Sequence, residues 1–132
     1  MAKKFNLNVK VYYEDTDTGG VVYYANYLKF LERARSEAIY SLGFTNSGLF
    51  ENNNILLIVK SCNIEYKKPA KFEDKLSIVS EVTSFTKTSF IMQQNILRNN
   101  ELISTAEVHI VVVDKNGKPS KLPDELKLKL QN

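Results

Sequence analysis

An acidic turn and two glycines lie directly before the longest helical pattern of the sequence. The turn spans residues 14–18, Gly19 and Gly20 follow it, and the helical pattern begins near Val22. A carboxylate at this place lies within reach of the backbone N–H groups that the first turn of a helix leaves unpaired. Such a pair suits attack on a carbonyl carbon, because the carboxylate can act as base or nucleophile while the helix N-terminus stabilises the oxyanion. This chemistry needs no metal and no cofactor.

Asp17 is the carboxylate that we expect to carry this chemistry. It lies several residues before the apparent start of the helix, too early for the simplest N-cap, and the two glycines after it let backbone and substrate approach closely. The alternative is that residues 15–18 form only a turn and a helix cap, for which Asp and Thr are the usual residues. We interpret Glu14 and Asp15 as turn or ion-pair residues.

The elements around this turn are a strand and a long helix. Apolar and polar residues alternate over residues 5–13, which predicts a strand with one buried face. Apolar residues then recur at three- and four-residue steps over residues 22–42, which predicts an amphipathic helix of about five turns. Gly43 follows at a favoured C-cap position. The predicted buried stripe consists of Tyr24, Leu28, Leu31, Ala34, Ala38 and Leu42.

Four strand-like runs follow a polar, asparagine-rich connection. They cover residues 55–66, 76–85, 89–97 and 103–113, with turn residues at Asn99–Asn100 and Asn116–Gly117. One long helix followed by strands with short turns predicts the α+β class, with an antiparallel sheet wrapped around the helix. The length of 132 residues predicts a single domain over residues 1–132. One helix would leave a strand edge uncovered, so we expect the chain to associate.

Composition limits the class of protein. With 43% hydrophobic and 25% charged residues, the chain resembles an ordinary globular domain. Its start lacks the apolar core of a signal peptide and no apolar run approaches the ~20 residues of a membrane span, so we expect a cytoplasmic protein without membrane insertion. The net charge of +3 comes from lysines that are spread along the chain, which argues against nucleic-acid binding.

The single cysteine and the single histidine offer a different chemistry. Cys62 alone cannot form an intrachain disulfide, and with His109 as the only histidine a zinc site is not expected. A cysteine nucleophile with a histidine base is the functional interpretation of the two. However, Cys62 lies in an apolar strand, where we expect a small core residue, and we expect His109 to hydrogen bond at a surface or interface.

The candidate turn also carries a family resemblance. Residues 14–28, followed by Glu32-Arg33-Ala34-Arg35, resemble the signature of the 4-hydroxybenzoyl-CoA thioesterase family of hotdog-fold enzymes, and most of all its Tol-Pal-associated acyl-CoA thioesterases. The likeness continues through residues 64–70 and 74–76 and so covers nearly the whole chain. Tyr24 stands where that subgroup usually has histidine, and in this respect the chain is similar to the hydroxybenzoyl-CoA enzymes.

The resemblance implies a fold, an assembly and a set of site residues. It implies a hotdog fold, a homodimer or homotetramer with a continuous sheet, and active sites at the dimer interface. It makes Asp17 the catalytic carboxylate and the backbone N–H of Tyr24 the oxyanion donor. The remaining expected substrate or coenzyme A contacts are Gly20, Val22, Tyr23 and, for a CoA phosphate, Lys87.

The implied reaction is hydrolysis of acyl-CoA thioesters. A thiol with a pKa of about 8.5 leaves readily as thiolate, so a carboxylate and an oxyanion hole suffice without a histidine acid. Hydrolysis of acyl groups on acyl carrier protein is a second hypothesis, because an acidic carrier would suit a basic chain. A non-catalytic acyl-CoA-binding module is a third. A hotdog dehydratase is disfavoured because the only histidine lies in a late strand.

Overall fold

Five antiparallel strands form one sheet in the computed structural model, which describes residues 3–132. The spatial order of the strands is β1-β3-β4-β5-β2, so that β1 and β2 form the two edges. This arrangement confirms the predicted antiparallel sheet. The strands are β1 (Lys4–Lys10), β2 (Ile55–Tyr66), β3 (Lys75–Phe85), β4 (Ser89–Arg98) and β5 (Glu101–Asp114).

Three helices accompany the sheet: α1 (Tyr24–Ser41), α2 (Asn46–Asn53) and α3 (Asp124–Gln131). The 18-residue α1 is the long helix that the sequence predicts, and it packs on the apolar face of the sheet. The α+β prediction is therefore confirmed, whereas α2 and α3 were not predicted. Within the described part of the chain, no helix has the length and hydropathy needed to cross a membrane.

The buried stripe of α1 agrees with the prediction at Leu31, Ala34, Ala38 and Leu42, which are buried, and differs from it at the start of the helix. Tyr24 and Leu28 are 70% and 47% exposed. At the start of the helix Tyr27 and Phe30 are buried in their place, and the hydroxyl of Tyr27 accepts a hydrogen bond of 3.0 Å from the backbone N of Ala70. The buried residues of α1 are Asn26, Tyr27, Phe30, Leu31, Ala34, Ala38 and Ile39.

The first strand ends three residues earlier than predicted. After Lys10 the chain leaves β3, and Val11 instead exchanges backbone hydrogen bonds with the segment before β3: its N lies 2.9 Å from Asp74 O, and its O lies 3.0 Å from Glu73 N. A single 3₁₀ turn, Tyr13–Asp15, then redirects the chain towards α1. Tyr13 is consequently 79% exposed rather than a buried strand residue.

The predicted turn residues adopt the conformations that their types favour. Gly43 follows α1 with φ of 89°, the left-handed value expected just beyond a helix C-terminus. Asn99 and Asn100, with φ of 50° and 67°, form the two-residue connection between β4 and β5. Positive φ at both positions matches the right-handed twist of the flanking strands.

The edge strand β2 is exposed over most of its 12 residues. Leu56, Ile58 and Val59 are 39%, 46% and 43% exposed, although β5 pairs with the other side of the strand. Cys62 is also exposed, so the prediction that it fills the core is wrong. Val59 and Cys62 lie on the inward face of this edge, which α1 leaves open because it covers the centre of the sheet, whereas Leu56 and Ile58 lie on the outward face.

Candidate active site

Backbone hydrogen bonds fix the loop between β1 and α1 to the segment that connects β2 with β3. The N of Val22 donates to Ala70 O at 2.8 Å, and the O of Gly20 accepts from Phe72 N at 3.0 Å. The Tyr13 ring stacks on Phe72 with 4.2 Å between ring centroids. The loop is therefore held at both of its ends and along its length, which gives its side chains defined positions.

Asp17 lies at the first position of a tight turn within this loop. Its backbone N donates to Val21 O at 2.9 Å, and its backbone O accepts from Gly20 N at 3.1 Å. Gly20 has φ of 80°, where a side chain would be strained. A Cβ at Gly19 would lie 3.2 Å from Asp17 Oδ1, so the turn brings the backbone close to the carboxylate.

The carboxylate of Asp17 has one oxygen engaged and one available. Oδ1 accepts a hydrogen bond of 2.8 Å from Gly19 N, and no residue within 3–132 donates to Oδ2. The side chain is exposed to solvent. A carboxylate that is oriented by one backbone donor and open on its other oxygen can accept a proton or attack an electrophile.

The start of α1 supplies hydrogen-bond donors beside this carboxylate. Tyr23 is the N-cap residue and makes no side-chain cap hydrogen bond. Among the described residues, none accepts a hydrogen bond from the backbone N of Tyr24 or Ala25, whereas Asn26 N donates to Tyr23 O. Unpaired N–H groups at the positive end of an 18-residue helix can stabilise an oxyanion.

A cleft joins these groups. It has a volume of about 370 Å³, and Asp17 lines it together with the first turn of α1 and the end of β2. The structure therefore brings together four of the predicted site residues: Asp17, Val22, Tyr23 and Tyr24. Gly20 does not line the cleft, and it shapes the turn of Asp17 instead.

Two tyrosines that sequence reasoning left out of the site form one wall of the cleft. Tyr66 contacts Tyr24 at 5.1 Å and Tyr27 at 5.0 Å between ring centroids, the second pair edge to face. Burial raises the pKa of both Tyr27 and Tyr66, so their phenols stay neutral at neutral pH. Local sequence signals for them are weak, because Tyr66 marks the end of a predicted strand and Tyr27 lies outside the predicted apolar stripe of the helix.

Asp15, two residues before Asp17, has a different environment. It is 9% exposed, and both carboxylate oxygens are engaged: Oδ1 accepts from Asn26 Nδ2 and Oδ2 from Tyr12 N, each at 2.8 Å. Its backbone O also accepts from Tyr23 N at 3.1 Å. Asp15 therefore fixes the loop to the first turns of α1. It is a turn residue, and no residue among those described forms an ion pair with it.

The other candidates lie away from this cleft within one protomer. Lys87 is an exposed residue of the β3–β4 hairpin and lines a separate surface depression near α3. His109 lies on β5 opposite Ser61 of β2, and Cys62 is the next residue of β2. The Cys62 residue is exposed, but partial burial of its thiol raises the pKa of that group, which disfavours the thiolate that a nucleophile needs.

Comparison with known proteins assigns this arrangement to a family. The model of the thioesterase-like superfamily matches residues 11–130. The chain is 41% identical over 124 residues to the acyl-CoA thioesterase YbgC of Haemophilus influenzae, covering 93% of this chain and 91% of that protein. It is also 41% identical over 124 residues to the acyl-CoA thioester hydrolase YbgC of Escherichia coli, covering 92% of each.

A solved structure gives the same assignment. The probable thioesterase of Bartonella henselae superposes with a TM-score of 0.88 at 34% identity, covering 92% of this chain and 100% of that one. The chain belongs to the thioesterase-like superfamily, and its fold is the hotdog fold. The resemblance drawn from residues 14–28 is thereby confirmed.

Proposed function

We propose that the protein hydrolyses acyl-CoA thioesters to the free acid and coenzyme A, with Asp17 as the catalytic carboxylate. The observation that carries this proposal is that Asp17 lines the same cleft as Tyr24, whose backbone N has no acceptor among the described residues. The acyl-CoA substrate follows from the relatives that are named for this activity and match over nine-tenths of the chain.

The thioester carbonyl would lie with its oxygen at the start of α1. The helix N-terminus stabilises the negative charge that develops on this oxygen, and Asp17 supports attack on the carbonyl carbon. The C–S bond then breaks and the sulfur leaves as thiolate, which needs no general acid because its pKa is about 8.5. The neutral Tyr27 and Tyr66 form an uncharged wall beside the reacting group.

Two routes lead to the same products. In the first, Asp17 removes a proton from a water molecule, whose oxygen then bonds to the carbonyl carbon. In the second, a carboxylate oxygen of Asp17 itself forms that bond, and water hydrolyses the resulting mixed anhydride. Single-turnover hydrolysis in ¹⁸O-labelled water tests for the second route: label in the Asp17 side chain, from attack of water on the aspartyl carbonyl, demonstrates the anhydride, because the first route never labels Asp17.

A second copy of the chain is the partner that we propose for β2. A long exposed edge strand with apolar side chains is a template for pairing with another strand. Antiparallel pairing of β2 with its own copy about a twofold axis would extend the sheet and cover Leu56, Ile58 and Val59. The homodimer, or a tetramer built from two such dimers, is therefore the proposed assembly.

This dimer also gives Lys87 a role. The β3–β4 hairpin lies at the same end of the sheet as residues 55–59, because Ser89 pairs with Val111 and Val111 pairs with Ile58. Antiparallel pairing of β2 turns this end towards the partner's cleft, which lies near the Tyr66 end of the strand. We place Lys87 at the CoA phosphates of the substrate in the partner subunit.

The experiment that tests the function measures thiol release from a panel of acyl-CoA, acyl-pantetheine and acyl-carrier-protein thioesters. We expect hydrolysis of acyl-CoA that exceeds hydrolysis of the same acyl group on pantetheine, because the nucleotide contacts Lys87. Faster hydrolysis of the acyl-carrier-protein thioester than of the acyl-CoA would indicate that acyl carrier protein, and not coenzyme A, carries the acyl group of the substrate. Binding of acyl-CoA without turnover would contradict the enzymatic proposal in favour of a binding module.

A further inference from the structure

The segment between β2 and β3, residues 67–74, contacts both the loop that carries Asp17 and the side chain of a single arginine. On the loop side, Phe72 N donates to Gly20 O at 3.0 Å, and Gly20 N in turn donates to Asp17 O at 3.1 Å. Only one residue of the loop therefore lies between the segment and the candidate catalytic residue. A shift of the segment would change the position of the Asp17 carboxylate.

Arg98, the last residue of β4, holds this segment at two points. Its Nη1 donates to Pro69 O at 3.0 Å and to Asp74 Oδ2 at 2.7 Å. These two acceptors bracket residues 70–73, which include the backbone groups that hydrogen bond to the loop. Nη2 of the same guanidinium donates to Glu101 Oε1 at 3.0 Å, which fixes the arginine itself. A planar guanidinium with several donors in fixed directions is well suited to hold two such acceptors at once.

The carboxylate that Arg98 holds also closes the turn at the end of the segment. Asp74 Oδ2 accepts from Lys71 N at 2.8 Å, and Asp74 N donates to Lys71 O at 3.0 Å. Within this turn Glu73 has φ of 67°, in the left-handed region that residues with a side chain rarely adopt. Such a conformation persists only where the surrounding contacts enforce it. The ion pair between Arg98 and Asp74 is one of these contacts.

The other arginines of the chain make no comparable set of contacts. Arg33 is exposed on α1, and Arg35 donates a single hydrogen bond, from Nη1 to Gln94 Oε1 at 3.1 Å. Hydrogen bonds to carboxylates, first of all the one to Asp74, raise the pKa of Arg98, whereas burial lowers the pKa of Arg35. Among the described residues, Arg98 is the one arginine that forms ion pairs.

We propose that Arg98 is a positioning residue for the catalytic carboxylate. By holding Pro69 and Asp74 it keeps the 67–74 segment in place, and through Gly20 the segment keeps the turn of Asp17 in the arrangement that the reaction needs. The proposal rests on the thioesterase activity proposed above.

Loss of Arg98 should act on the chemical step more than on the fold or on substrate binding. The side chains of Arg98 and Asp74 are each 21% exposed, and ion pairs in contact with water contribute little to stability. In contrast, displacement of a catalytic group by about 1 Å can lower the rate roughly 10²-fold. Lys87, the contact proposed for the CoA phosphates, lies on the β3–β4 hairpin and not on this segment.

The first test is the steady-state kinetics of Arg98→Met on an acyl-CoA. We expect kcat to fall at least roughly tenfold while KM changes by less than about threefold. Arg98→Lys keeps the charge and can still reach one acceptor, so it should recover part of kcat. Arg33→Met is the matched control, because Arg33 is exposed on α1, and it should hydrolyse acyl-CoA like wild type. An Arg98→Met variant with the kcat of wild type would overturn the proposal.

A double-mutant cycle separates positioning of Asp17 from a general loss of structure. If Arg98 acts through Asp17, Arg98→Met should lower the residual kcat of Asp17→Asn by less than about threefold, because the carboxylate that it positions is already absent. A purely structural effect would lower kcat by the same factor in both backgrounds, and this result would overturn the proposal.

Amide hydrogen exchange tests the same contacts without substrate. In Arg98→Met we expect faster exchange over residues 11–22 and 67–74 and unchanged exchange over β5, since only the local contacts are lost. Exchange like that of wild type over the loop, or faster exchange over the whole chain, would contradict the role of Arg98. Absence of hydrolysis of every acyl-CoA by wild type would instead overturn the proposed function, and the exchange data would still show whether Arg98 holds the loop.

Discussion

The two ends of α1 present unpaired groups of different kinds. At its start the groups are main-chain N–H donors beside Asp17, and backbone hydrogen bonds hold both in place. Near its other end the group is the side chain of Arg35, which one buried glutamine orients in an apolar pocket. Main-chain donors in fixed positions suit the oxyanion, because this charge is the same for every thioester. A side chain, in contrast, can distinguish one acyl group from another. Reaction and selectivity should therefore be separable by mutation.

The largest effect is expected at the chemical end of the helix. Asp17→Asn should preserve the fold and the oligomeric state, because the amide oxygen can still accept from Gly19 N, yet it removes the proposed base or nucleophile. We expect kcat to fall by about three orders of magnitude or more. Steady-state thiol release, with light scattering as the structural control, measures this. A variant with more than about a tenth of wild-type kcat would exclude Asp17 as the catalyst.

Separating the protomers should remove the contribution that each protomer makes to the site of its partner. The double variant Leu56→Lys/Ile58→Lys places two charges on the exposed edge strand, and lysines on an edge oppose strand pairing. We expect a monomer at micromolar concentration by light scattering and at least a roughly tenfold loss of kcat/KM. Thr83→Lys, on an interior strand, is the control. A monomeric variant with full activity would contradict a site shared between protomers.

Asp15→Asn should have a smaller effect than Asp17→Asn, although the two residues are neighbours. The change keeps the shape of the side chain but replaces charge-assisted hydrogen bonds to Asn26 and Tyr12, so we expect unfolding free energy to fall by about 1.5–3 kcal/mol. Urea denaturation measures this. We expect kcat to decrease by no more than about tenfold, because both catalytic groups remain. Adding Asn26→Asp restores a carboxylate–amide pair and should recover part of the stability.

The smallest effect is expected at Lys87, far from both ends of α1. Lys87→Ala should raise KM for acyl-CoA several-fold and leave kcat nearly unchanged, because a remote phosphate contact is made equally in ground and transition states. High salt should have the same effect on wild type, since it shortens the screening length below about 8 Å. An acyl-pantetheine should show no difference, and Lys75→Ala serves as the control. Equal loss on both substrates would assign Lys87 to the fold.

The parts of the site that the sequence predicted are those that lie close together along the chain. Asp17, Gly20 and the start of α1 lie within eight residues, and turn and helix-start signals act over that range. Tyr66 lines the same cleft but lies 42 residues after Tyr24 in the chain, so no local sequence pattern predicts the contact between the two residues. The first two residues of the buried face of α1 were predicted wrongly for the same reason, because Tyr24 and Leu28 compete there with Tyr27 and Phe30 and the sheet decides which pair is buried.

The missed helices have a related explanation. α2 consists mostly of residues with modest helix propensity, and it is held by Thr45, whose side chain accepts from Gly48 N at 2.9 Å. α3 is only eight residues long and is anchored by two buried leucines, Leu126 and Leu130. The exposure of Cys62 could not be predicted either, because a run of apolar residues has the same sequence pattern in a central strand and in an edge strand.

The segment between β2 and β3 has a consequence for how the site comes into being. It hydrogen bonds to the loop through Ala70 and Phe72, and it is itself held by Ile103 of β5, whose O accepts from Lys67 N and Lys68 N at 2.9 and 3.1 Å. Asp17 is thus positioned by residues that lie roughly 50 to 85 places later in the chain. Contacts of such high sequence separation form late in folding. During synthesis the helix can form early, but we expect no competent active site until the ribosome has released β5.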